Sequence, residues 1–113
     1  MDKTLYKRDK DGKKIEKEML TKIAHLKFKN RSVKINKKIF IGRNDTNDIA
    51  IKDDPLVSRK HALIEKIKNF YYVSDMESTN GTYVNNNPII KNQKIKLNNG
   101  DIIRIGKTEF KIL

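Results

Sequence analysis

The sequence predicts an all-β sandwich, and three observations carry that prediction. From Leu26 onward, apolar and polar residues alternate with a period of two through a series of short segments. The gaps between those segments are filled by Asn, Gly, Asp and Pro, residues that tolerate positive φ or preset a turn. No segment sustains the helical spacing of apolar residues that a long helix needs.

Taken in order, residues 1–21 read as a charged leader and residues 22–113 as the folded domain. Lys7-Arg8-Asp9-Lys10-Asp11-Gly12-Lys13-Lys14 has no apolar member, so it can bury nothing to offset its ordering entropy. Ile15, Met19, Leu20 and Ile23 keep a weak helical spacing, enough for an amphipathic turn or two. Leu26 with Phe28, Val33 with Ile35, and Ile39 with Ile41 then mark three half-buried strands. Ile49-Ala50-Ile51 is a short strand bounded by Asn47-Asp48 and Asp53-Asp54-Pro55. Ala62–Ile67 and Phe70–Val73 form a hairpin through Lys68-Asn69. Tyr83-Val84, Ile95–Leu97, Ile102–Ile105 and Phe110–Ile112 complete the series.

Composition narrows the function. A chain of 113 residues fits one domain with one core. The absence of Cys removes disulfide frameworks and thiolate metal sites, and fits a reducing compartment. His25 and His61 are the only imidazoles, which argues against a metal centre, and no cofactor is expected. No apolar run approaches the roughly 20 residues of a membrane helix, and no signal-peptide core follows Met1. A soluble, cytoplasmic domain without a membrane partner is the expectation.

The net charge of +12 is unevenly spread. Residues 1–40 hold 14 Lys/Arg against 5 Asp/Glu, a net of +9; residues 41–113 hold 12 against 9, a net of +3. A nucleic-acid or acidic-membrane patch is one reading of that excess. We favour a solvated leader, because 21 of the 26 cations are Lys and interleaved aromatics are scarce there.

Three polar segments carry the chemistry. Gly42-Arg43 ends a strand; the Gly permits close backbone approach and the Arg offers a rigid donor fork suited to phosphate oxygens. Ser58-Arg59-Lys60-His61 enters a strand after Asp54-Pro55-Leu56-Val57, adding a hydroxyl and a second Arg. Within it, His61 reads best as a hydrogen-bonded structural histidine. Ser78-Thr79-Asn80-Gly81-Thr82 is a tight polar turn whose amide side chain can pair with a peptide main chain. Together these supply cations, hydroxyls and an amide, a loop-built grip for a doubly charged anion attached to a peptide.

In the order Gly-Arg, Ser-Arg-x-His, Asp-x-x-Ser-Thr-Asn-Gly-Thr, Val-Asn and a late Gly-Asp, the chain from Ala24 to Leu113 resembles the forkhead-associated (FHA) domain. That family reads phosphothreonine peptides, and its fold is a β-sandwich of eleven strands with the binding loops at one end. The resemblance implies phosphate contacts from Arg43, Ser58 and Arg59, and peptide contacts from Asn44, Thr79 and Asn80. It implies loop-shaping roles for Gly42, His61, Gly81 and Asn85, and structural roles for Asp75 and Asp101. The implied partners are a Thr-phosphorylated protein and an upstream Ser/Thr kinase. One departure is visible: the family commonly has Gly after the Asn that follows Val, whereas here Asn85 is followed by Asn86. Asn is next best at positive φ, so the turn is expected to survive.

Other classes are weaker. A Ser58–His61–Asp75 hydrolase triad lacks a nucleophile elbow or an oxyanion loop. A basic nucleic-acid-binding domain would need Tyr71, Tyr72 and Tyr83 as stacking platforms, whereas these are expected to divide between core and sheet face. A structural interaction domain with a degenerate site is the stronger competitor, countered by the joint presence of Arg43, Ser58 and Asn80. Some small bacterial relatives of the family capture a phosphorylated Thr of their own N-terminal tail. Thr4 and Thr21 are the candidates here, and passive roles for both are favoured.

Overall fold

The computed structural model describes residues 23–113, and there the chain forms eleven strands. These are β1 (His25–Phe28), β2 (Arg31–Lys34), β3 (Lys38–Gly42), β4 (Ile49–Ala50), β5 (Ala62–Ile67) and β6 (Phe70–Asp75). After them come β7 (Thr82–Val84), β8 (Asn87–Pro88), β9 (Ile95–Leu97), β10 (Ile102–Ile105) and β11 (Thr108–Ile112). A six-stranded sheet runs β2-β1-β11-β10-β7-β8, and a five-stranded sheet runs β4-β3-β5-β6-β9. Each pairing between these strands is antiparallel except β3 with β4, which is parallel.

Period-two alternation decides which side chains go inside. Leu26, Ile103, Ile105 and Phe110 point inward from the larger sheet, and Ile39, Ile41, Ile64 and Val73 from the smaller. Each such burial contributes about 1.5–3 kcal/mol relative to exposure. Phe28 and Phe110 stack at 4.8 Å between ring centroids, in a tilted pair that anchors one edge of the core. Tyr71 is buried while Tyr72 and Tyr83 sit half-buried, so the tyrosines do divide between core and sheet face.

The turns follow their residues. Ile67 pairs with Phe70 across Lys68-Asn69, the hairpin read from the sequence, with Lys68 at φ 59°. Asn85 and Asn86 both take positive φ, 50° and 70°, between the paired residues Val84 and Asn87. This is the backbone a type I′ hairpin turn needs, so the Asn-Asn departure preserves the turn. The Asn85 side chain adds support, donating to Asp101 Oδ1 at 2.9 Å and accepting from Ile102 N at 3.0 Å.

The strand reading differs from the structure at the margins. β2 stops at Lys34, and Ile35 beyond it is fully buried, its N–H donated to Ala24 O at 3.0 Å. β8 has no alternation to read, since Asn87 and Pro88 are both exposed. Ile15, Met19, Leu20, Thr4 and Thr21 lie outside the described residues. Among the described residues, no helix is long and apolar enough to cross a membrane.

Topology gathers three loops at one end of the sandwich. They are residues 43–48 between β3 and β4, 51–61 between β4 and β5, and 76–81 between β6 and β7. All three polar segments of the sequence lie on them or at their margins.

Candidate functional site

The site begins with a glycine that has no room for a side chain. A Cβ on Gly42 would sit 2.2 Å from Arg59 O and 2.7 Å from Asn47 Nδ2. The absence of that atom lets the first two loops close on each other. Arg43 N–H donates to Ser58 O at 2.9 Å and Asn44 N–H to Arg59 O at 3.2 Å. Asn47 finishes the seam, its Nδ2 donating to Arg59 O at 2.7 Å and to Asn44 O at 2.8 Å. Arg43 and Arg59 are thereby held on adjoining backbones.

His61 is fully buried and joins the second loop to the third. Its Nδ1 accepts from Ser58 N–H at 3.0 Å, and Nε2 lies 2.8 Å from Gly81 O. One neutral tautomer, protonated at Nε2, satisfies both contacts. The ring therefore meets the Ser58 backbone, while Ser58 Oγ accepts from Thr79 N–H at 3.0 Å. A Ser–His nucleophile pair is not formed.

Beneath the third loop, the Asp75 carboxylate organises the turn. It accepts from Ser78 N–H at 3.0 Å, Ser78 Oγ–H at 2.6 Å and Thr82 Oγ1–H at 2.6 Å. Ser78 Oγ in turn accepts from Gly81 N–H at 2.9 Å, and Gly81 takes φ 88°. Burial pushes the Asp75 carboxyl up, but the hydrogen bonds from Ser78 and Thr82 outweigh it and hold the group below its ordinary value. Asp54 does the same for the second loop. Its Oδ2 accepts from Lys107 N–H at 2.7 Å, and its Oδ1 from Leu56 N–H at 3.0 Å. The Lys107 amide lowers the Asp54 carboxyl against the opposing effect of its burial.

What faces outward is cationic and donor-rich. Among the described residues neither Arg43 nor Arg59 pairs with a carboxylate, while the loop acids Asp45 and Asp53 pair with Lys52 and Lys29. Ser58 accepts from Thr79 N–H with one of its two lone pairs and keeps its hydroxyl proton to donate. Asn80 gives one amide proton to Leu56 O at 2.9 Å, which fixes its plane and leaves its carbonyl oxygen for a ligand. Asn44, Arg59, Thr79 and Asn80 are exposed, and Arg43 and Ser58 are half-buried.

Every residue singled out from the three segments thus lies at this end of the molecule. Asn85 lies apart, shaping the β7–β8 turn against Asp101. Sequence reasoning missed Asn47 and Asp54, which hold the loops together. Asn and Asp are common in any surface turn, so only the tertiary contact distinguishes these two.

An all-β sandwich that sets arginines with no salt bridge among the described residues, a hydroxyl donor and a fixed amide on loops at one end presents the donor set of a loop-built recognition site. The FHA domain family model matches residues 39–106, and the chain belongs to that family. An oxoglutarate dehydrogenase inhibitor from Corynebacterium jeikeium is 48% identical over 66 residues, covering 58% of this chain and 43% of the relative. The chain thus spans less than half the length of that curated relative. An FHA domain solved in work on phosphothreonine-dependent FHA interactions superposes with a TM-score of 0.72 at 30% identity, covering 80% of this chain and 95% of the other. The Mycobacterium tuberculosis EmbR protein, solved with a low-affinity phosphopeptide, gives a TM-score of 0.78 at 31% identity, over 87% of this chain and 27% of its own.

Proposed function

We propose that this domain, taken as residues 22–113, binds phosphothreonine peptides and couples a Ser/Thr kinase to the assembly of a protein complex in the cytoplasm. Arg43, Ser58 and Arg59 hold the phosphate, and Asn44, Thr79 and Asn80 hold the peptide main chain. The observation that carries this reading is the Thr79 N–H to Ser58 Oγ bond, which leaves the serine its hydroxyl proton to donate, on a loop hydrogen-bonded to the one bearing Arg43; among the described residues neither Arg43 nor Arg59 forms a salt bridge. A phosphothreonine brings about −1.5 to −2 charges at neutral pH. Each charge-assisted hydrogen bond contributes roughly 1.5–3 kcal/mol, much of it offset by desolvation and peptide ordering. Micromolar affinity, about −8 kcal/mol, is the expected result.

The domain acts as a binding module without catalysis. His61 has both ring nitrogens engaged with backbone groups, so it offers Ser58 no general base. Fluorescence anisotropy against a phosphothreonine peptide library, with phosphoserine and unphosphorylated controls, tests the function. Selective capture of phosphothreonine peptides is expected. Equal binding of phosphorylated and unphosphorylated peptides overturns the reading.

A further inference from the structure

The outer face of the six-stranded sheet carries an unresolved electrostatic conflict. Alternation places Lys27, Lys111, Arg104 and Ile102 there, because Leu26, Phe28, Ile103, Ile105, Phe110 and Ile112 all point inward. Lys27 and Lys111 are directly opposed across β1 and β11. Like charges so placed destabilise a sheet. Beyond them Lys27 pairs with Ser32 and Lys111 with Ile102, so no acid stands opposite either lysine. Lys34 extends the row on β2 opposite His25, and Glu109, opposite Arg104, is the acid on this stretch. Among the described residues none of these four cations forms a salt bridge. Ile102, 38% exposed, lies between the charges.

We propose that this face docks an acidic peptide segment bearing an apolar side chain, carried by the phosphorylated partner outside its phosphothreonine. The partner's identity rests on the phosphopeptide reading above; the face itself rests on its own charges. Tethering through the phosphothreonine would raise the effective concentration of the acidic segment at the sheet. Charge selects this occupant. Residues 1–22 hold 8 Lys/Arg against 5 Asp/Glu, a net charge of +3 that disfavours them as the occupant, and a second copy of the face carries the same cations. Single-stranded nucleic acid would need open aromatic platforms, yet the Tyr83 ring already carries the Arg104 guanidinium at 4.1 Å. A membrane surface would find few apolar side chains to insert, chiefly Ile102 and, opposite His25, Leu113.

Amide chemical shifts of the full chain, measured by NMR at physiological ionic strength, separate the possibilities. The probes are an unphosphorylated Asp/Glu-rich peptide carrying one Leu, a phosphothreonine peptide, single-stranded DNA, and phosphatidylserine-containing vesicles. The acidic peptide is expected to move Lys27, Ile102 and Lys111 and leave Arg43, Ser58 and Asn80 in place. Lys27→Glu with Lys111→Glu should weaken it at least about tenfold, or 1.4 kcal/mol, while the phosphothreonine peptide still moves the loops. Lys111→Glu alone removes the like-charge pair, so it should fold at least as stably as wild type and serves as the folding control. The proposal is overturned if the acidic peptide leaves the sheet amides unmoved or is indifferent to both reversals. It is equally overturned if DNA or vesicles bind this face more tightly. If the phosphothreonine peptide fails to move the loops while the acidic peptide moves the sheet, the phosphopeptide reading fails and the docking face stands.

Discussion

At the scale of single residues, the site depends on one missing atom and one buried charge. Gly42 lets the β3–β4 and β4–β5 loops share hydrogen bonds, and a methyl there would meet Arg59 O at 2.2 Å. Gly42→Ala is therefore expected to lose roughly 1–3 kcal/mol of stability through overpacking, with weakened phosphopeptide binding as Arg59 shifts. Urea denaturation and peptide titration of the same sample check both effects. Asp75 contributes in a defined pH window. Its folded value is held below the ordinary 3.8, so its contribution is fully present above that value and is lost as pH falls through the lower, folded one. Urea denaturation across the acid range should show a shallower loss for Asp75→Asn than for wild type. Parallel slopes would contradict that role.

At the scale of elements, turn chemistry decides the outcome. The β7–β8 turn holds Asn86 at φ 70°. Asn86→Gly is expected to leave stability equal or improved, whereas Asn86→Val should lose roughly 1–2 kcal/mol for a β-branched residue forced to left-handed φ. Thermal denaturation distinguishes them. The same elements show why most of the fold was legible in the sequence. Strands such as β1, β6 and β11 bury every second residue, and that period is written in Leu26/Phe28, Tyr71/Val73 and Phe110/Ile112. β8 was not legible, since a two-residue exposed strand has no period. Its place comes from the hydrogen bonds of the preceding turn. In the site, Arg43, Ser58, His61 and Asn80 were readable because each type has a distinct chemistry at a strand end. Asn47 and Asp54 were not, because their partners Arg59 O and Lys107 N are 12 and 53 residues away.

At the scale of the molecule, the sandwich separates two tasks. Its two sheets bury a rigid aliphatic core, and the loops at one end inherit that rigidity through His61, Asp54 and Asp75. On the sequence alone, residues 1–21 are expected to take no part in this scheme. Removing residues 1–21 is expected to change stability by no more than about 0.5 kcal/mol, the range of surface changes, measured by chemical denaturation. A loss of several kcal/mol would place the domain boundary earlier in the chain. The central claim is that phosphate, read by Arg43 and Ser58, supplies most of the binding. Its most direct test is the affinity of two peptides that differ only by the phosphate on one threonine, measured on wild type and on Arg43→Ala by titration calorimetry. Wild type should prefer the phosphorylated peptide by at least about a hundredfold, or roughly 2.7 kcal/mol, and Arg43→Ala should lose most of that preference. A phosphorylated peptide bound equally well by both proteins would contradict it.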